Sequence, residues 1–309
     1  MNLTLDEAME EYISYSKLKL KPQSISKIYN RYENQIKPLL GNKFIDKIEP
    51  KDILDLEKNL FNKNFSFSYE KAVFYVLVSL LNYCCTFLGL EKNVAKQVGL
   101  IHKRKDNKMV DFWTIQEYKR FIKKVDVKMY KYLFEFLYFT GCRQGEALEL
   151  HFYNLNKNYV FIENTVQKEC SNGRRIVTSA KTEKSKRKFK IDFKLRFEIF
   201  LLKKYYKKKY GYFSQDFLIF GGKNYLSPTT IARYKNIACK KANVKQIRIH
   251  DFRHSHISLL ISKGVPITAI CERVGHKDVS LTLNVYAHML NSDEKKLNRT
   301  LFLLRFLTF

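Results

Sequence analysis

The stretch His250-Asp251-Phe252-Arg253-His254, at the head of an apolar-periodic run, is followed by Val274-Gly275-His276 and, nine residues later, Tyr286-Ala287-His288. On a helix, residues i and i+3 share a face, so His250 and Arg253 are expected to point the same way. That sets a proton carrier beside a guanidinium fork, a donor geometry suited to a phosphate. With His276 and Tyr286 added, a phosphodiester-cleaving site could be assembled from four side chains. Each taken singly could equally be a satisfied core histidine, a surface arginine or an ordinary aromatic.

Two further blocks lie upstream. One is Thr140-Gly141-Cys142-Arg143-Gln144-Gly145-Glu146-Ala147-Leu148, and the other is Lys181-Thr182-Glu183-Lys184-Ser185-Lys186-Arg187. In this order the blocks resemble the boxes of the tyrosine recombinases (the phage integrase family, Xer-like members included). These are the Thr-Gly-x-Arg-x-x-Glu box, the β-hairpin lysine box, His-x-x-Arg-His, Gly-His and the tyrosine ten residues beyond it. The departure is Val274, where a Leu usually precedes Gly-His, and it is apolar in both cases.

The resemblance implies a fold and a division of labour. The fold is mainly α with a small antiparallel β-sheet, in two domains forming a C-shaped DNA clamp. Residues 1–101 would be a helical, SAM-like core-binding domain, 102–111 a basic linker and 112–309 the catalytic domain. Residues 291–309 would be a C-terminal segment exchanged between protomers. Arg143 and Arg253 would clamp the scissile phosphate, with His276 as a further donor. Tyr286 would be the nucleophile, forming a 3′-phosphotyrosyl link. Lys181 would protonate the leaving 5′-oxygen, with Lys184 the alternative on the same hairpin. His250 would assist proton transfer at the tyrosine, and Glu146 would support the site from behind. The implied activity is site-specific recombination or integration without metal, ATP or other cofactor. The implied partner is double-stranded DNA carrying short core sites. The protein would be a monomer when free and a homotetramer on DNA, with an accessory DNA-bending protein as a further candidate partner. Competing readings are a catalytically silent DNA-binding regulator and a type IB topoisomerase or telomere resolvase.

Composition agrees with a polyanionic partner. The 309 residues carry 57 Lys and Arg against 30 Asp and Glu, a formal net charge of +27, and the pI is near 9.7. Such an excess favours nucleic acid over a membrane surface. A hydrophobic fraction of 45% supports packed cores. The six cysteines (84, 85, 142, 170, 239, 271) have no metal-ligand spacing, and they read as reduced thiols of a cytoplasmic protein. His254-x-His256 is a poor metal pair, because alternate positions on a helix diverge. The N-terminus lacks the order of a signal peptide. The charge-free run Ala72–Leu90 is long enough for a membrane span, but its Ser, Asn and Thr fit a buried core helix better.

Along the chain, helices are expected at 3–20, 22–40 after Pro22, 50–62 and 65–88. Since this pattern begins by Leu3, no arm-binding domain is expected before it. Lys19, Lys21, Lys27 and Arg31 are candidate DNA contacts on helix surfaces, and Lys103, Arg104 and Lys105 on the linker. Thr114 with Glu117 has the form of a capping box, opening helices at 114–124 and 128–140. Residues 159–162, 175–178 and 189–191 are β-rich, with turn signals at Asn172-Gly173 and 183–185. One three-stranded antiparallel sheet is expected there, with Lys181 at a hairpin tip. Lysine-rich 194–210 and a segment begun by Ser227-Pro228 read as further helices. The apolar tail 301–309 should be buried on this chain or on a neighbour.

Overall fold

The computed structural model describes residues 3–100, 111–168, 175–179, 186–276, 279–290 and 302. Residues 3–100 make one compact unit, and the described residues from 111 onward make a second. Lys181, Lys103, Arg104, Lys105 and nearly all of 291–309 lie outside the described residues.

The first unit is all helical among its described residues. Helix α1 (Leu5–Lys17) starts at a reciprocal cap: Thr4 Oγ1 accepts from the Glu7 amide at 3.3 Å, and Glu7 Oε2 accepts from the Thr4 amide at 2.7 Å. The single helix expected over 22–40 is instead α2 (Pro22–Arg31), a π-helical turn (Tyr32–Ile36) and α3 (Lys37–Leu40). Pro38 explains the change, since a proline within a helix has no N–H to give and crowds the carbonyl four residues back. A locally widened turn relieves that conflict. Tyr32, at the turn, donates to Asp6 at 2.6 Å and ties α1 down. Helix α4 (Pro50–Asn62) and α5 (Phe67–Phe87) follow, then short α6 (Val94–Val98). The charge-free run forms most of α5, whose Val73, Phe74, Leu77, Leu80, Leu81 and Cys84 are buried at helical spacing. No described helix is long and apolar enough to cross a membrane.

In the second unit, the Thr114–Glu117 capping box opens α7 (Ile115–Ile122), followed by α8 (Lys128–Thr140) and α9 (Gln144–Leu148). Strands β1 (Leu155–Asn156), β2 (Tyr159–Ile162), β3 (Asn164–Lys168), β4 (Arg175–Ser179) and β5 (Arg187–Lys190) come next. They form two antiparallel sheets and not one. The order β1-β2-β5 makes three strands, while β3 pairs with β4 alone. The run 175–179 therefore joins 164–168, which sequence reading left unassigned, and 155–156 supplies the third strand of the other sheet. The remaining helices are α10 (Phe193–Tyr210), α11 (Pro228–Ala242), α12 (Asp251–Ser262), α13 (Ile267–Val274) and α14 (Val279–Leu290).

Helix α12 is fixed by aromatic packing. The Phe252 ring lies 5.1 Å from Trp113 and 5.5 Å from Phe134, and Trp113 lies 4.5 Å from Phe121. The Trp113 amide donates to Ser255 Oγ at 2.9 Å, deep in the core. With four rings and a buried hydrogen bond holding α12 against α7 and α8, the histidines and arginine on its other faces have little freedom.

A buried carboxyl pair spans α8 and α10. Glu135 and Glu198 are both almost fully buried, and Lys194 reaches them at 3.2 and 3.7 Å. Burial, then the hydrogen bond to Glu135, pushes the Glu198 carboxyl up to about 9, so it is protonated at neutral pH. A native carboxyl raised above its unfolded value near 4.5 loses stability to the unfolded chain as pH climbs from there toward 9. Glu198→Gln keeps a donor without that penalty. Its thermal midpoint is expected to match the wild type near the lower pH and to exceed it increasingly toward the upper one. The gain is expected to reach roughly 1–3 kcal/mol, read by denaturation at a series of pH values.

Candidate active site

The Thr-Gly-x-Arg turn is built from α8 outward. Thr140 Oγ1 donates to the Phe136 carbonyl at 2.6 Å and accepts from the Cys142 amide at 3.3 Å, closing the helix end. Gly141 then takes a left-handed conformation (φ +68°) as the helix stop. Its Cα packs against His256, where an added Cβ would lie 2.6 Å from the ring. This reversal delivers Arg143 to the N-cap of α9, with Glu146 three residues on.

Glu146 is the hub. It accepts from the Arg143 amide at 2.9 Å and from Arg143 Nη1 at 2.7 Å. From β5, Arg187 offers Nη2 at 2.8 Å and Nη1 at 3.2 Å. Burial alone would raise this carboxyl, which is 4% exposed. The hydrogen bonds and charge of Arg187, with Arg143 behind them, outweigh burial and hold it down at about 2. Arg187 is itself anchored, since its Nε donates to the Arg273 carbonyl at 2.9 Å at the end of α13. Gly275, the next turn's left-handed residue (φ +71°), gives Arg187 room: a Cβ there would sit 3.2 Å from the guanidinium.

Arg253 projects from α12 and donates through Nη1 to the Gly141 carbonyl at 2.9 Å. Its Nη2 is buried without a partner among the described residues. Burial, then the like charge of Arg143, lowers its pKa to about 9, which still leaves it a cation at neutral pH. His250 caps the same helix and is exposed overall. Packing against part of its ring, then the charge of Arg253, lowers its pKa. Tyr286 comes from α14 and is 2% exposed. Its hydroxyl lies 2.7 Å from Nδ1 of His254 and 3.4 Å from the same residue's carbonyl. The residue on the phenol is thus His254, while His250 contacts His254 edge-on with ring centres 5.2 Å apart. Burial drives the Tyr286 phenol up, so it rests protonated. Burial, then His250, brings His254 down to about 4, so it rests neutral.

His276 completes the cluster. Its Nδ1 lies 2.7 Å from Thr282 Oγ1. Burial, followed by Arg253 and Arg143, lowers its pKa to about 4. The structure thus gathers Arg143, Glu146, His250, Arg253, His276 and Tyr286, each histidine sensing the same arginine charge. His256 points away, with Nδ1 at 2.9 Å from the Tyr138 carbonyl, which makes it part of the packing. Among the described residues no group of three His, Cys, Asp or Glu side chains could hold a metal ion. Lys19, Lys21 and Lys27 are exposed in the first unit and Arg31 is half-buried there. Lys19 and Lys21 sit in the turn between α1 and α2, Lys21 as the α2 N-cap.

Residues 112–293 match the profile of the phage integrase family, and residues 4–61 match the phage integrase N-terminal SAM-like domain. The chain is 31% identical over 290 residues to the ICEBs1 integrase of Bacillus subtilis (strain 168), covering 87% of this chain and 76% of that one. It is 25% identical to the integrase of Staphylococcus phage L54a over 96% of this chain and 91% of that one. In fold it is similar to the Tn1549 transposon integrase in complex with transposon right end DNA. There the TM-score is 0.77 at 17% identity, over 96% of this chain and 99% of that one. It is also similar to a lambda integrase tetramer bound to a Holliday junction, with a TM-score of 0.67 at 14% identity over 90% and 78%. The chain belongs to the phage integrase family.

As a tyrosine recombinase of this family it is a DNA strand-breaking and rejoining enzyme with DNA as its partner. Sequence reading assigned no role to three residues that this recombinase uses to hold its site. Arg187 had a signal, because it alternates with Phe189 and Ile191, both buried, so it lies on the inward side of its strand. A charge there demands a buried counter-ion. His254 lies one helical turn after His250, and Thr282 one turn before Tyr286, so each shares a face with a family position.

The two left-handed glycines at 211 and 141 offer a test of the turn. Gly211 (φ +76°), the stop of α10, has nothing within 4 Å of an added Cβ, whereas Gly141 meets His256. Gly211→Ala is expected to cost about 1 kcal/mol and Gly141→Ala roughly 2–4 kcal/mol, read by chemical denaturation.

Proposed function

We propose that Tyr286 attacks a DNA phosphodiester to form a 3′-phosphotyrosyl link, within a site-specific recombination or integration reaction. The observation that carries this reading is the meeting of the Tyr286 hydroxyl with a neutral imidazole, His254, at 2.7 Å beside the buried Arg253. Attack forms the tyrosyl O–P bond and breaks the P–O5′ bond. The phenolic proton passes to the His254/His250 pair as the new bond forms. Because His254 is a weak base, transfer and bond formation go together. Lys181 gives a proton to the departing 5′-oxygen. Arg143 and Arg253 place fixed positive charge on the non-bridging oxygens, with His276 as a third donor. Glu146 holds Arg143 in place. Rejoining reverses these steps, with the 5′-hydroxyl of another strand as attacker, and the bond energy kept in the phosphotyrosine needs no ATP.

Tyr286 is too enclosed to meet a phosphate as it stands, so α14 shifts when DNA docks. Residues 1–101 act as the core-binding domain, with Lys19, Lys21, Lys27 and Arg31 on phosphates. Residues 102–111, including Lys103, Arg104 and Lys105, act as the basic linker. The working assembly is a homotetramer on paired core sites in the cytoplasm, a reading supported by the similar lambda integrase tetramer. Residues 291–309 pass between protomers, and a DNA-bending protein assists. A silent regulator would have no need of the full set Arg143, His250, Arg253, His276 and Tyr286.

The test is covalent capture. Nicked fragments of the host genome are incubated with the protein and denatured in SDS, and protein-linked 3′ ends are sequenced. Adducts at a discrete site are expected, absent in Tyr286→Phe and formed about 10²–10³-fold more slowly in Arg143→Ala. DNA binding without any Tyr286-dependent adduct would sink the enzyme reading in favour of the regulator.

A further inference from the structure

We propose that Thr282, backed by Cys271, sets the tautomer of His276, so that the neutral ring presents Nε2–H as its donor. The inference rests on the reading above, in which His276 donates to a phosphate oxygen. Thr282 and Cys271 are 1% and 3% exposed, on α14 and α13 respectively. The threonine hydroxyl lies between two neighbours, His276 Nδ1 at 2.7 Å and Cys271 Sγ at 3.3 Å. It has one proton to give. An imidazole nitrogen is a strong acceptor and sulfur a weak one, so the proton goes to Nδ1. The thiol then donates its own proton to the threonine oxygen, and every polar hydrogen in the chain is used.

The consequence falls on the far side of the ring. With Nδ1 occupied as acceptor, the single proton of a neutral imidazole must sit on Nε2. Neutrality is imposed by the site itself, because burial disfavours an imidazolium and Arg253 and Arg143 repel it. A neutral histidine of the opposite tautomer would turn a lone pair toward an anionic oxygen and oppose binding. Two cations beside His276 therefore make the tautomer decisive, and Thr282 supplies the fix that a carboxylate or carbonyl supplies in other sites. Thr282 is a positioning residue: it acts on the reaction only through the ring it holds. The same hydroxyl links α13 to α14, so the nucleophile's helix also carries the group that orients the neighbouring histidine.

The experiment is a long-range proton–nitrogen correlation spectrum of the full chain, labelled with ¹⁵N-histidine, at neutral pH and without DNA. His276→Asn identifies the signal. The expected wild-type pattern is protonated Nε2 with unprotonated Nδ1. Thr282→Ser retains it, and Thr282→Val loses it, giving Nδ1–H or a mixture of the two forms. A wild-type ring protonated on Nδ1 overturns the proposal, even if the valine variant fails to fold. An unchanged pattern in a folded Thr282→Val protein overturns it too. Because no DNA is present, this result is independent of whether Tyr286 forms an adduct.

Discussion

One buried carboxylate, Glu146, organises the arginine–histidine cluster of this protein. An ionised group taken out of water is strongly unfavourable unless its lone pairs are met by cations and hydrogen bonds. Here they are met by Arg143 on its own helix and by Arg187 on strand β5. Arg187 in turn holds the end of α13 through a carbonyl, which fixes the approach to His276. Arg143 is therefore held by an anion that is held by the sheet, and its side chain, 39% exposed, is fixed at one end while staying available.

Around that hub the chain concentrates positive charge that would otherwise repel itself. Arg253 is nearly inaccessible and close enough to Arg143 for the like charge to depress its pKa. An anionic phosphate near the two guanidiniums would offset both this repulsion and the burial of Arg253. Preorganised charge of this kind stabilises a pentavalent phosphorane because it need not reorganise during the reaction. The histidines fit the same scheme. Buried among these cations they rest neutral, so each offers a lone pair and an N–H rather than a charge.

Much of this was legible in the residues. The boxes around Arg143, Arg253, Gly275-His276 and Tyr286 placed the site, and the capping pattern at Thr114–Glu117 and the stop at Gly141 were readable as local chemistry. What escaped was set by tertiary neighbours. Strand pairing was misread because β3 carries polar Asn164, Thr165 and Gln167, a weak strand signal, while turn residues suggested that 175–178 belonged with 159–162. The π turn at 32–36 needed Pro38 to be weighed inside a strongly periodic helix. His254 displaced His250 at the phenol because it lies one turn further along the same face of α12: the His250 backbone is already helical (φ −64°, ψ −27°), and its ring packs on His254 while His254 meets the hydroxyl. Arg187 was hidden among lysines of the same segment until its burial beside Glu146 was known.

The central claim is that Glu146 and Arg187 form one energetic unit on which the arginine clamp rests. A double-mutant cycle with Glu146→Gln and Arg187→Met, read by urea denaturation, measures it most directly. Each single change leaves a buried charge or donor stranded, and the double change removes both. The predicted coupling is about 2–4 kcal/mol, with the double variant far less destabilised than the sum of the singles. Costs that add to within roughly 0.5 kcal/mol would mean the pair is incidental, and the account of how this site is held would be contradicted.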